Sequence, residues 1–253
     1  MTKGSCWLSM ISVRSEPSSK SEMVNQLLFG DHVIIKDESR GWLKIASLHD
    51  NYEGWCEFNQ IETSTDDSAL SGMLVGDTTA VFSSSQRTIT LVYGSSVPGL
   101  NDHFSIKDQT FKLTKGKIVE PQTYNGLNLV KAAMKYVDSP YLWGGRSPFG
   151  IDCSGLIQMA FKLTGISMPR DASDQANHPG EYIDLIGESE IGDIAFFDNE
   201  EGRIIHTGIL TGDGSIIHAN GRVRIDSVDH NGIFNKELGI YTHKLRVIKR
   251  FNS

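Results

Sequence analysis

Gly150-Ile151-Asp152-Cys153-Ser154-Gly155-Leu156-Ile157-Gln158-Met159-Ala160-Phe161-Lys162-Leu163-Thr164-Gly165 opens as a turn and continues as a helix. Leu156, Ile157, Ala160 and Phe161 recur at helical spacing and form an inward stripe, and Gly165 is a natural stop. The spacing predicts a helix from Cys153 to about Leu163. A helix N-terminus carries roughly half a positive charge and unpaired N–H groups. Such a place favours a thiolate and lowers a thiol pKa below its free value of about 8.5. The same amides are placed to hold an oxyanion formed when a carbonyl is attacked. Cys153 is therefore a candidate nucleophile, with a buried packing thiol as the competing reading. Gly144, Gly145 and Gly150 just upstream would let backbone approach a substrate closely.

A base is needed downstream. Ile204-Ile205-His206-Thr207-Gly208-Ile209-Leu210 and Ser215-Ile216-Ile217-His218-Ala219 read as strands, each apolar except for its histidine. Two histidines twelve residues apart in a strand pair project from one face. His206 could then take the thiol proton while His218 fixes its tautomer. Two satisfied core histidines are the plain alternative. His32, His49, His103, His178, His230 and His243 lie in polar or turn-like contexts and are read as surface residues. Asp193 to Phe197 and Lys244 to Ile248 add further strands, and Asn128 to Val137 carries an apolar helical stripe ended by Asp138-Ser139-Pro140. Helices followed by antiparallel strands indicate an α+β domain over residues 122–253.

The first half of the chain is different. Leu27-Leu28-Phe29, His32 to Lys36, Trp42 to Ala46 and Cys56 to Ile61 are short β-like runs separated by polar turns, as in a small barrel over residues 1–64. Thr63 to Ser68 is a polar linker. Thr78 to Phe82, Thr88 to Tyr93 and Gln109 to Leu113 then suggest a second small barrel over residues 65–121. The 253 residues carry a net charge of −7 and 39% hydrophobic residues, with no basic stripe to neutralise phosphates and no apolar run long enough for a bilayer. Neither a nucleic acid nor a membrane is expected as a partner. Three cysteines are too few and odd for a disulfide framework, so Cys6 and Cys56 are read as packing residues in a reducing compartment. The N-terminal residues lack the pattern of a secretory signal, and the expected location is cytoplasmic.

Val13-Arg14-Ser15-Glu16-Pro17, Gly30-Asp31, Gly41-Trp42-Leu43-Lys44-Ile45 and Gly54-Trp55 together resemble a bacterial SH3 (SH3b) domain. Tyr141-Leu142-Trp143-Gly144-Gly145, Asp152-Cys153-Ser154-Gly155-Leu156, Pro169-Arg170-Asp171 with Gln175, Gly192-Asp193, His206-Thr207-Gly208-Ile209 and Ile217-His218-Ala219 resemble the NlpC/P60 cysteine peptidases, in family order, over about Asn125 to Ile248. With SH3b domains in front, the chain resembles the YkfC-type γ-D-glutamyl-L-diamino acid endopeptidases. The resemblance implies a papain-like catalytic domain behind two small SH3-like barrels, and a Cys153, His206, His218 triad.

It further implies a reaction: hydrolysis of the γ-D-glutamyl–diaminopimelate bond of murein tripeptides or tetrapeptides, without cofactor or metal, by a chain expected to be a monomer. Tyr141 would contribute to the oxyanion site. Asp152 and Ser154 would line the substrate groove, although capping of the helix is an equally physical role for both. Trp143 and Arg170 come from the same motifs and would lie beside the substrate. Asp171 would recognise a free N-terminal L-Ala, with Tyr52 closing over the same amine and Glu22 beside it. Three other readings stay open: a wall-peptide-binding module without activity, a thiol amidase or acyltransferase acting on another acyl group, and a metal site of Cys153, His206 and His218.

Overall fold

The computed structural model describes residues 2–64, 72–99 and 102–251. Of the expected linker, residues 65–68 lie outside them. The chain divides into two compact units, Met1–Pro121 with Trp143–Pro148, and Gln122–Leu142 with Phe149–Ser253. Strand is the prevailing structure and helices are few. Among the described residues no helix is long and apolar enough to cross a membrane.

In the first unit, seven antiparallel strands between Lys3 and Ser64 form one sheet. Their alternating inward residues, among them Cys6, Ile11, Val13, Leu27, Val33, Leu43, Ile45 and Cys56, make one core. Between Met73 and Val119 a four-stranded and a three-stranded sheet enclose a second core of Val75, Phe82, Leu91, Phe104 and Phe111. Phe29 belongs to this second core, tilted 5.4 Å from Phe104. The expected run Leu27-Leu28-Phe29 is thus divided, with its strand ending at Leu28. Gly30 makes the division possible: its φ is +78°, and a Cβ there would lie 2.1 Å from the Ser96 carbonyl oxygen. The run expected from Cys56 to Ile61 is instead the end of a strand, Glu53–Glu57, followed by a short 3-10 turn.

The segment Trp143–Pro148 packs into this first unit. Arg146 is buried, and its guanidinium donates to Asp31 Oδ2 at 2.9 Å and to the Gln26 carbonyl at 2.8 Å. Gly144, expected to open room for a substrate, instead lies against the unit's own backbone. A Cβ there would meet the Met23 carbonyl oxygen at 2.5 Å.

The second unit is built from helices α1 (Gly126–Met134), α2 (Cys153–Leu163) and α3 (Ala172–Asn177) and strands β1 (Glu181–Ile183), β2 (Ile194–Asp198), β3 (Ile204–Leu210), β4 (Ser215–Asn220), β5 (Arg222–Asp229), β6 (Gly232–Asn235) and β7 (Ile240–Arg250). The antiparallel sheet runs β1-β7-β2-β3-β4-β5-β6, and β6 also pairs with β7, so six strands close on themselves. Closure leaves only β1 hanging on the outside of β7 and removes most exposed edge. Ala195, Phe197, Ile216, Val228, Ile233 and Ile248 pack on one side of this sheet. Helix α2 packs against α1 and across β3, and α3 also rests on β3. Helix α2 has the bounds its periodicity predicts. Helix α3 and strands β1, β5 and β6 were not foreseen.

Candidate active site

Asp152 precedes α2 in extended conformation, and its Oδ1 accepts from the Gly155 N–H at 2.7 Å. This N-cap sets Cys153 as the first helical residue, 6% exposed. Arg170 clamps the same carboxylate from below, with Nη2 to Oδ2 at 2.6 Å and Nη1 to Oδ1 at 3.0 Å, and Nη1 also donates to Ser154 Oγ at 2.8 Å. Gln175 Nε2 donates to the carbonyls of Ser154 and Pro169. All four side chains are buried. The geometry displays the capping role for Asp152, while Ser154 Oγ links Arg170 to the Asp152 carboxylate. Arg170 holds the nucleophile's helix end in place through them.

Cys153 has backbone hydrogen bonds with Thr207 and Ser154, which puts the thiol against the residue that follows His206. Its ionisation differs from expectation. Burial pushes the thiol up to about 12, the Asp152 charge adds to the rise, and the Thr207 and Ser154 amides with Arg170 only partly oppose it. Desolvation outweighs the helix terminus, and the resting residue is a neutral thiol. Tyr141 lies close by. Burial first, then the neighbourhood of Cys153 and Asp152, pushes its phenol up to about 12, so it stays an O–H donor. A backbone bridge to Ile151 and a 3.0 Å bond from its own N–H to the Gly221 carbonyl position it.

His206 and His218 come together as expected, on neighbouring strands β3 and β4. His206 Nε2 lies 2.9 Å from His218 Nδ1. Two partners were missed. His218 Nε2 lies 3.0 Å from Asp226 Oδ2 on β5, and Arg224 Nη2 donates to Asp226 Oδ1 at 2.9 Å. Burial works against the Asp226 carboxylate, yet hydrogen bonds from His218 and Arg224 hold it below the usual value. His243, read as a surface residue, is half-buried on β7, and its ring stacks on His206 at 4.0 Å. Burial, with His243 and His218 adding to it, holds His206 well below the ordinary 6.5, and burial takes His243 to about 4. Both imidazoles are neutral at pH 7.

The three histidines bring one ring nitrogen each within 4.8 Å of one another. Their lone pairs do not converge on a centre, however. The His206–His218 contact uses one nitrogen of each ring, and His206 and His243 lie face to face at 22°. A tetrahedral metal site needs in-plane approach to each ring.

Asp171 stands at the N-cap position of α3 and is partly exposed. Two other expected substrate residues meet within the first unit, where Trp143 Nε1 donates to Glu22 Oε1 at 2.6 Å. Tyr52 sits in that unit's turn after Asn51, which has φ +60°, and its N–H donates to Asp50 Oδ1 at 3.1 Å.

Comparison with known proteins places this geometry. The model of the NlpC/P60 family matches residues 138–242, and that of the bacterial dipeptidyl-peptidase SH3 domain matches residues 13–61. The "Gamma-D-glutamyl-L-lysine dipeptidyl-peptidase" of Bacillus subtilis (strain 168) is 29% identical over 77% of this chain and 71% of its own. A Corynebacterium glutamicum protein named "Probable endopeptidase" is 32% identical over 60% of this chain and 81% of its own. The crystal structure of an NlpC/P60 family protein from Bacillus cereus ATCC 10987 covers 98% of this chain and 99% of its own, with TM-score 0.83 and 20% identity, a likeness of fold. With a capped helix presenting Cys153 beside a buried pair of histidines, this chain belongs to the NlpC/P60 family of cysteine peptidases, carried behind a bacterial SH3 domain.

Proposed function

We propose that this peptidase hydrolyses the γ-D-glutamyl bond to a diamino acid, diaminopimelate in the first instance, in murein peptides with a free N-terminal L-Ala. The observation that carries the chemistry is the relay His206, His218, Asp226, with Cys153 hydrogen-bonded to the backbone of Thr207, the residue after His206. A carboxylate only accepts, so His218 must hold its hydrogen on Nε2. Its Nδ1 is then an acceptor, which places the His206 hydrogen on Nε2. The Nδ1 of His206 is left as a lone pair, the form a general base requires.

The neutral pair reacts without a preformed thiolate. His206 Nδ1 takes the thiol proton as Sγ attacks the carbonyl carbon. The resulting oxyanion is opposed by amides at the start of α2 and by the Tyr141 phenol. Collapse breaks the C–N bond, and the His206 proton leaves with the amine. Water, activated by the same imidazole, then cleaves the thioester and restores Cys153.

The substrate follows from similarity and from chemistry. The Bacillus subtilis relative is named for a γ-D-glutamyl bond, and Asp171 offers a carboxylate for a free ammonium. An N-acylated peptide brings no such charge to that carboxylate. We place the work in the recycling of released peptides in the cytoplasm, a reading supported by three free, buried cysteines. We also take the β-rich segment 65–121 as a second, diverged SH3-like barrel between an SH3 domain at 1–64 and the catalytic domain at 122–253. Incubation with L-Ala-γ-D-Glu-diaminopimelate and its N-acetyl form, with products weighed by mass spectrometry, tests the activity. Release of L-Ala-γ-D-Glu from the free form alone, lost in Cys153→Ala, is expected. Hydrolysis that survives Cys153→Ala, or equal cleavage of both forms, refutes it.

A further inference from the structure

Ile233 faces His243 across the β6–β7 ladder, and Phe197 faces Leu245 across the β2–β7 ladder. Directly opposed residues share a face, and Ile233 and Phe197 belong to the core on one side of the sheet. Strand β7 thus turns His243 toward that core, where an apolar side chain is the usual occupant. The imidazole is held there on two sides. Its Nδ1 lies 2.9 Å from Thr242 Oγ1. Its face is stacked on His206, with centroids 4.0 Å apart and planes 22° from parallel. His218 meets His206 edge-on at 86°, and Phe197 is tilted to it at 47°. Of the rings around the base, His243 is the one that lies flat against it.

His243 also lines an open groove of about 650 Å³ beside the first half of β7, together with Ile205, Asn231 and Thr242. That is room for on the order of twenty waters at about 30 Å³ each. Among the described residues neither His206 nor His218 lines it, and the two are 5% and 0% exposed. The His243 ring therefore stands between the water of the groove and the base. Both of its contacts bear on catalysis. The second torsion of a histidine side chain has broad wells, and a misplacement of about 1 Å can cost roughly a hundredfold in rate. A flat ring stacked on His206 opposes that rotation. Burial keeps His243 neutral, so a His206 that gains the thiol proton meets an aromatic face rather than a like charge.

We propose that His243 is a positioning residue for the base: its stacked ring fixes the plane of His206 and keeps the water of the groove off it. This rests on the peptidase reading above and adds a member to the machinery that serves Cys153. His243 acts through His206 and touches neither the thiol nor the substrate's reacting bond. What the position requires is a flat, neutral ring. An aliphatic side chain would cover His206 without fixing its plane, and a small polar one would do neither.

The test measures kcat and KM on L-Ala-γ-D-Glu-diaminopimelate, and the titration of the His206 imidazole by NMR, in the full chain and in His243→Phe, His243→Leu and His243→Asn. The His206 signal is assigned by its absence in His206→Gln. The titratable groups around His206 are His218 on β4 with Asp226 of β5 behind it, His243 on β7, and Cys153 at the Thr207 backbone. All but His243 are kept in every variant, so a moved titration reports position 243. His243→Leu should lower kcat roughly tenfold or more with KM within about twofold. His243→Phe should recover kcat to within about threefold and keep His206 well below its ordinary value. His243→Asn should lower kcat as well, and the His206 titration, with the acid limb of kcat/KM, should rise toward 6.5 as water reaches the ring. Phe and Leu fill the space, so their comparison decides the matter even where His243→Asn does not fold. A kcat in His243→Leu within twofold of the unaltered chain, a His243→Phe no better than His243→Leu, or a His206 titration unmoved in folded His243→Asn overturns the proposal. An unaltered chain that leaves the peptide intact refutes the peptidase reading instead, and the titrations still decide whether His243 shields His206.

Discussion

At the scale of single residues, the site combines a thiol and an imidazole that are both neutral at rest, because burial governs each. A cysteine peptidase with a preformed ion pair loses rate when its imidazolium deprotonates on the alkaline side. Here no such limb is expected. The kcat/KM for the diaminopimelate peptide should be level from pH 7 to about 9 and decline only as His206 gains a proton, below its ordinary value of about 6.5. A rate that falls between pH 7 and 9 would show that an ion pair is the reactive form. Stability moves the same way. His206 and His243 have folded values below their unfolded one, so the unfolded chain binds more protons as pH falls through 6.5. The melting temperature should be highest at neutral pH and drop between pH 6.5 and 4. Asp226→Asn keeps the shape but lets the amide present its NH₂ to His218, which reverses both tautomers. The expected result is a kcat lower by roughly a hundredfold or more with KM nearly unchanged, as when a buried aspartate behind a catalytic histidine is neutralised. An unaltered kcat would remove Asp226 from the relay.

At the scale of elements, the N-terminus of α2 depends on a side chain from the loop before α3. Arg170 and Asp152 are a buried pair with side chains 1% and 6% exposed. Arg170→Ala leaves a carboxylate without its counter-charge and should cost roughly 3–5 kcal/mol by denaturant unfolding. Arg170→Lys keeps the charge and loses the two-pronged grip, and should recover only part of that. A loss under about 1 kcal/mol would mean that the cap alone secures the helix. The elements also show what was legible in the chain. Helix α2 and strand β3 were readable because their periodicity is local and their stop signals are clear. His243 was not, because its partner is brought to it by the closing pair of β6 with β7, where Ile233 faces His243 across the ladder. Asp226 was hidden by an inverted pattern in β5: the apolar Ile225 is 45% exposed while the charged Asp226 beside it is buried. Helix α3 has six residues and no apolar stripe, so nothing in its composition announces it. The thiol's ionisation was misjudged because helix dipoles are visible in sequence and depth of burial is not.

At the scale of the whole molecule, two compact units are joined by a chain that passes out of the first at Pro121 and returns to it for Trp143–Pro148. Whether the first unit takes part in substrate choice is a kinetic question. Tyr52→Ala, about 100 residues from the nucleophile in sequence, should raise KM for peptides with a free L-Ala by roughly tenfold and leave kcat within about twofold. An unchanged KM would assign recognition to the catalytic unit alone. The returning segment has its own consequence for descent. Arg146 lies in the stretch between the family's first two sequence motifs, yet its partners Asp31 and Gln26 belong to the first unit's strands. A recombination at residue 121 that grafted this peptidase onto a foreign leader would strand a buried aspartate in one product and its arginine in the other. The two halves of the gene should therefore be inherited as a pair, and substitutions at positions 31 and 146 should rise and fall together across lineages.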